Sequence, residues 1–147
     1  MRERYAGLYR HDDVLSRLLS LDAALLVGRI LIAILFIRAG TLKLMALDAT
    51  AGYINTKLGM GSVLAPLTGL FELLTGLLIA VGFQTRTVAA VVFLFTAAAS
   101  LIFHDYWNMT GQPAVANATN FYKNLAIMGG LLILFAAGPG RYSLDKR

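Results

Sequence analysis

Glu72 is the one carboxylate in an apolar run from Val63 to Phe83, and it sits where a charge costs a few kcal/mol unless it finds a partner or a wet cavity. Thr68, Gly69, Glu72, Thr75 and Gly76 share one helical face, within an arc of roughly 120° at about 100° per residue. The opposite face is Leu, Phe, Ile and Ala, as expected of a helix with lipid on one side and other helices on the other. Arg38, in the preceding apolar run, lies within about one helical turn of the same depth. It is the expected partner of Glu72 in a buried ion pair, either pinning helix register or lining a polar site.

A second set of polar residues gathers toward one end of the predicted helices. Lys43 closes the first apolar run, and Ser100 and His104 stand four apart at the end of the third. Asn120, Lys123 and Asn124, at i, i+3 and i+4, open the last. Turned inward, these side chains would form a polar mouth above Arg38 and Glu72, an apolar-walled site with a few convergent polar groups. Turned outward, Lys43 and Lys123 would snorkel to the interface, as Arg29 is expected to do at the opposite end.

Other chemistry is excluded by residue type. The chain has no cysteine, which removes dithiol relays, disulfides and thiolate metal sites. Its two histidines, His11 and His104, stand too far apart to hold a haem together. No metal-binding spacing, phosphate loop or nucleophile elbow occurs.

The elements that must position these residues follow from composition. Of 147 residues, 58% are hydrophobic and only 14% charged, against about a quarter charged in soluble domains. Four apolar stretches, about residues 23–46, 63–83, 87–103 and 120–138, predict an all-α integral membrane four-helix bundle within residues 23–147. Residues 1–22 read as a short interfacial segment. The stretches 47–62 and 104–119 read as loops. Arg2, Arg4, Arg10, Arg17, Arg86, Arg141, Lys146 and Arg147 fall on one side of this topology, which predicts cytoplasmic N and C termini. The net charge of +5 is scattered over segment ends with no basic stripe, so nucleic acid is excluded as a partner.

Several motifs in order resemble the DoxX family of small bacterial inner-membrane proteins: GRILIAILFIRAGTLKL, ELLTGLLIAVGFQTRTVA, the FH that closes helix three, and NFYKNLAIMGGLLILFAAGPGRYSLD. The loop HDYWNMTG is similar to the branch typified by short enterobacterial members, and the resemblance spans about residues 24–145. Arg29, Arg38, Gly40, Lys43, Glu72, Arg86, His104, Lys123 and Asn124 match its motifs, without roles attached. The resemblance implies a four-helix membrane bundle linked to quinone-dependent redox chemistry, since the family takes its name from a subunit of a thiosulfate:quinone oxidoreductase.

The expected function is therefore an accessory subunit that binds a quinone-like or other amphipathic molecule among Arg38, Lys43, Glu72, Ser100, His104, Asn120, Lys123 and Asn124. No built-in redox centre is legible, so electron transfer would need a redox partner subunit. Other expected partners are the lipid bilayer and a second copy of the chain, for which Gly69, Gly76 and the alanine-rich third helix are candidate contacts. The alternatives are a small-solute or proton carrier, for which four helices leave little room without a dimer, and a purely structural component of a larger complex.

Overall fold

The computed structural model describes residues 20–145; the interfacial segment expected at residues 1–22 lies outside them up to residue 19, as do Lys146 and Arg147. The described residues form five α-helices and no strand: α1 (Leu21–Met45), α2 (Leu47–Asn55), α3 (Gly61–Val81), α4 (Thr85–Phe103) and α5 (Gly111–Ala137). A short 3-10 turn, Tyr106–Asn108, precedes α5. The helices α1, α3, α4 and α5 run 25, 21, 19 and 27 residues and are apolar enough to cross a membrane, which needs about 20. Their outer faces are hydrocarbon: Leu31, Leu94 and Ile133 are each about two-thirds exposed, and in a bilayer they meet lipid.

The four spans form two pairs. On α1, Arg29, Ala33, Phe36 and Gly40 make one buried stripe, and on α3 it meets Gly69, Glu72, Gly76 and Ile79. The backbones touch there. A methyl group on Gly40 would stand 2.6 Å from the Gly69 carbonyl oxygen and run into the Leu73 backbone, and one on Gly76 would stand 2.8 Å from the Ile37 nitrogen. Gly69 and Gly76 thus serve contacts within the chain, against α1. The second pair is α4 on α5. The pairs join through a core of Ala33, Phe36, Ile79, Ala89, Val92 and Leu131, which extends from mid-bundle, at Phe36, toward the described chain ends.

That terminal end is tied by the tail. After the Gly138-Pro139-Gly140 stop, the chain turns back so that Leu144 N–H donates to Val81 O (3.0 Å) and Asp145 N–H to Gly82 O (2.8 Å). The Asp145 carboxylate accepts the N–H groups of Gln84 (2.7 Å) and Thr85 (2.8 Å), satisfying donors that the start of α4 leaves without intrahelical partners. Asp22 Oδ1 accepts Arg141 N–H at 2.8 Å. Arg29, expected to snorkel to headgroups, is instead 2% exposed, and donates to Pro139 O at 2.8 Å and to Tyr142 O. It lies on the buried stripe, and the carbonyls freed where α5 ends supply the acceptors that headgroups would have supplied. Gly82, at φ +70°, must be glycine for its left-handed backbone and because a methyl group would come within 2.5 Å of the Arg29 guanidinium.

Two expected loops are partly helix. The stretch after the first span carries α2, in which Leu47, Ala51 and Ile54 recur at i, i+4 and i+7, although its Gly52 and Asn55 are helix-breaking types. The last span starts at Gly111, nine residues before the expected Asn120. Gly111 and Pro113 read as loop residues, yet both stand in the first turn, where a missing N–H costs nothing.

The close α1–α3 approach makes a direct prediction. Gly40→Ala should lower the thermal unfolding temperature in detergent, at a cost of about 1–3 kcal/mol, because the methyl group meets backbone that cannot move aside. Gly28→Ala, on the same helix with nothing within 4 Å of the added carbon, should be neutral or slightly stabilising.

Candidate functional site

In the other half of the bundle, toward the loops, the two helix pairs enclose a cavity of about 420 Å³. That is within the usual size range of small-molecule sites, about 300–1,000 Å³. Its walls are mostly apolar, with Leu35, Phe36 and Ala39 from α1, Phe95, Ala99 and Phe103 from α4, and Ile127 from α5. Into it project Lys43, Glu72, His104 and Asn124, one polar residue from each of four chain segments.

Gly40 rests against the backbone between Gly69 and Leu73, which puts Glu72 opposite it. Lys43 follows three residues later on the same α1 stripe, and its Nζ donates to Glu72 Oε2 at 2.5 Å. Glu72 is buried, and the Lys43 side chain is about one-third exposed. The expected Arg38–Glu72 pair is not formed. Arg38 has a suitable depth but stands two residues from both Phe36 and Gly40, about 200° around the helix from each, and is exposed on the outer face of α1. Depth selected Arg38; the helical face selects Lys43.

The remaining members of the expected mouth divide. Ser100 is buried behind the wall, where its hydroxyl donates to Thr96 O (2.6 Å) and accepts from Asn124 Nδ2 (2.9 Å), so it orients Asn124 without lining the cavity. His104 Nδ1 is 3.2 Å from Asn117 Oδ1, whose amide nitrogen donates to Pro113 O. Asn117 is thereby left to accept, so His104 carries a proton on Nδ1, and in the neutral ring Nε2 is an acceptor. Asn120 is half-buried but outside the cavity lining, and Lys123 faces outward into a shallow groove beside Val115 and Tyr122.

The sequence reading missed the lid. α2 lies over the loop end of the cavity and contributes Thr50, Tyr53 and Ile54 to its wall, followed by Leu58. The Tyr53 ring stacks on Phe103 at 5.3 Å, and its hydroxyl reaches Phe103 O at 3.4 Å. Beyond α2, Lys57 Nζ donates to both carboxylate oxygens of Asp105 at 2.8 Å. Asn55 Oδ1 accepts Gly61 N–H at 2.7 Å, fixing the turn into α3. The i, i+4, i+7 spacing of Leu47, Ala51 and Ile54 was the available signal.

A second recess, at the terminal end beside Phe83, Arg86 and Leu144, offers less. The backbone donors of Gln84 and Thr85 there are already taken by Asp145.

A family model described as DoxX matches residues 24–105. Inner membrane protein YphA of Escherichia coli (strain K12) is 38% identical over 125 residues, 84% of this chain and 89% of that protein. Inner membrane protein YqjF of the same organism is 39% identical over 125 residues, 85% of this chain and 92% of that protein. An uncharacterized membrane protein of Mycobacterium tuberculosis is 29% identical over 129 residues, 81% of this chain and 77% of that protein. No solved structure matches the chain.

The geometry predicts unequal costs for two superficially similar substitutions. Lys43→Met leaves Glu72 without its counter-charge and should destabilise the detergent-solubilised protein by about 3–5 kcal/mol. Arg38→Met should be neutral or stabilising, because it removes a charge from the outer face of α1 that has no part in the pair. Thermal unfolding of both variants checks the order.

Proposed function

The chain belongs to the DoxX family of inner-membrane proteins, and we propose that it is an accessory subunit that holds a quinone-like or other amphipathic small molecule in the loop-half cavity, in the service of membrane redox metabolism. The observation that carries this reading is the placement of the Lys43–Glu72 pair. A pair serving only to pin two helices would gain from tight packing on every side, whereas this one borders a cavity whose wall also presents His104 and Asn124.

The wall fits a quinone-like head. Lys43 supplies donors for a carbonyl oxygen, Glu72 holds the ammonium in place, and Phe36, Phe95 and Phe103 are suitable neighbours for a flat ring. Leu35, at once cavity lining and exposed on the bundle surface, marks where an apolar tail would pass into lipid. His104, near the loop end, is placed to exchange a proton with the aqueous side. Electrons would come from a redox partner subunit. With the arginine-rich terminal end in the cytoplasm, the lid and His104 face the opposite side of the membrane.

The test is native mass spectrometry of protein gently extracted from its own membrane, with chemical identification of what is bound. The expected result is a polar-headed amphiphile at about one copy per chain, depleted about tenfold in Lys43→Met/Glu72→Met. Bulk phospholipid alone, equal in wild type and variant, would overturn the reading.

A further inference from the structure

The hydrogen-bond inventory around the cavity narrows the kind of molecule it takes. The hydroxyl groups in its wall spend their protons on backbone: Thr68 on Leu64 O (2.8 Å), Thr96 on Val92 O (2.8 Å), Thr50 on Lys43 O (3.4 Å) and Tyr53 on Phe103 O (3.4 Å). Asn124 Nδ2 spends one of its two N–H donors on Ser100. The ion pair itself is not saturated. Lys43 uses one of its three N–H donors on Glu72 Oε2, and Glu72 Oε1 accepts from no group among the described residues. The nearest hydroxyls on the same helix, Thr68 and Thr75, both donate to α3 carbonyls and so cannot serve it. What borders the cavity is therefore an unspent donor and an unspent, strongly accepting oxygen side by side. Their charges cancel, and no other lysine, arginine, aspartate or glutamate among the described residues lines the cavity.

Resting on the ligand-binding role proposed above, we infer that the cavity selects an uncharged amphiphile whose head carries a hydroxyl group, one that gives a hydrogen bond to Glu72 Oε1 and takes one from Lys43 Nζ. A head that only accepts leaves the carboxylate oxygen unpaired in a desolvated wall, which a site built to bond a hydroxyl penalises strongly. A carboxylate head brings a second negative charge to Glu72, and a like charge at that distance is repelled in an apolar surround. In quinone terms, the site favours the reduced, hydroxyl-bearing form over the oxidised, acceptor-only form. Glu72 is thus the specificity-determining residue, and its neutralisation should invert the selection by freeing Lys43.

Three probes of one shape separate these cases: para-nonylphenol (donor and acceptor), para-nonylanisole (acceptor only) and para-nonylbenzoate (anion). Each is titrated calorimetrically into the full chain in phosphatidylcholine nanodiscs, with empty nanodiscs subtracted. Wild type should bind the phenol about tenfold more tightly than either of the others. In Glu72→Gln, benzoate affinity should rise by about tenfold and overtake the phenol. Lys43→Met/Glu72→Met, which removes the pair without stranding a charge, should bind phenol and anisole within about twofold of each other. Phenol and anisole bound equally by wild type, or benzoate preferred by wild type, would overturn the selection rule while leaving a ligand-binding cavity. Failure of all three probes to bind folded wild type would overturn both.

Discussion

A carboxylate buried between membrane-spanning helices keeps its charge only if a cation comes within hydrogen-bonding distance, and no water of the bilayer core can stand in for that cation. Glu72 imposes this condition on the whole loop half of the bundle. For Lys43 to reach it, α1 and α3 must approach until their backbones touch, which the glycines at 40, 69 and 76 allow. The register that brings Gly40 against Leu73 is the register that brings Lys43 Nζ to Glu72 Oε2. Packing and charge pairing are thus two statements of one geometric fit.

The bundle treats its two inward-facing cations, Arg29 and Lys43, differently. Arg29 is neutralised by backbone carbonyls of a tail that also caps α4, and the helices around it close into an apolar core. Lys43 is neutralised by a side chain, and beside it the two helix pairs stand apart. The first arrangement spends both terminal guanidinium nitrogens on backbone carbonyls, with Arg29 Nε left buried without a partner among the described residues. The second leaves, beside the cavity, two N–H donors and a carboxylate oxygen without partners among the described residues, under a lid tied down by the Tyr53–Phe103 stack and by Lys57 with Asp105. A rigid end and a cavity under a tethered lid are the arrangement that the proposed ligand-binding role calls for.

Much of this was legible in the residues. The four spans follow from hydropathy, because lipid admits few alternatives, and the small-polar face of α3 correctly marked Glu72 as turned inward. The partner of Glu72 was not legible from depth. Arg38 and Lys43 are both near enough along the axis, and what separates them is angle about α1, which matters only once the packing face is known to pass through Arg29, Ala33, Phe36 and Gly40. A polar residue among those positions, Arg29, masked the stripe. The α2 lid was hidden by Gly52 and Asn55, ordinary breakers that here end a nine-residue helix or stand inside it. His104 and Asn124 were found by helical spacing, whereas Lys123, one residue from Asn124, is turned outward by about 100°. Hydropathy locates the membrane spans and the resemblance to the DoxX family points to the same bundle; which side chains meet comes from the packing.

The measurement that bears most directly on this account is chemical cross-linking in intact membranes with a hydrophobic carbodiimide, which activates buried carboxylates and joins them to an adjacent amine with loss of water. The account predicts an intramolecular amide between Glu72 and Lys43, read by peptide mass spectrometry. Glu72 joined to a different lysine, or activated Glu72 recovered as an unlinked adduct beside an unmodified Lys43, would contradict it.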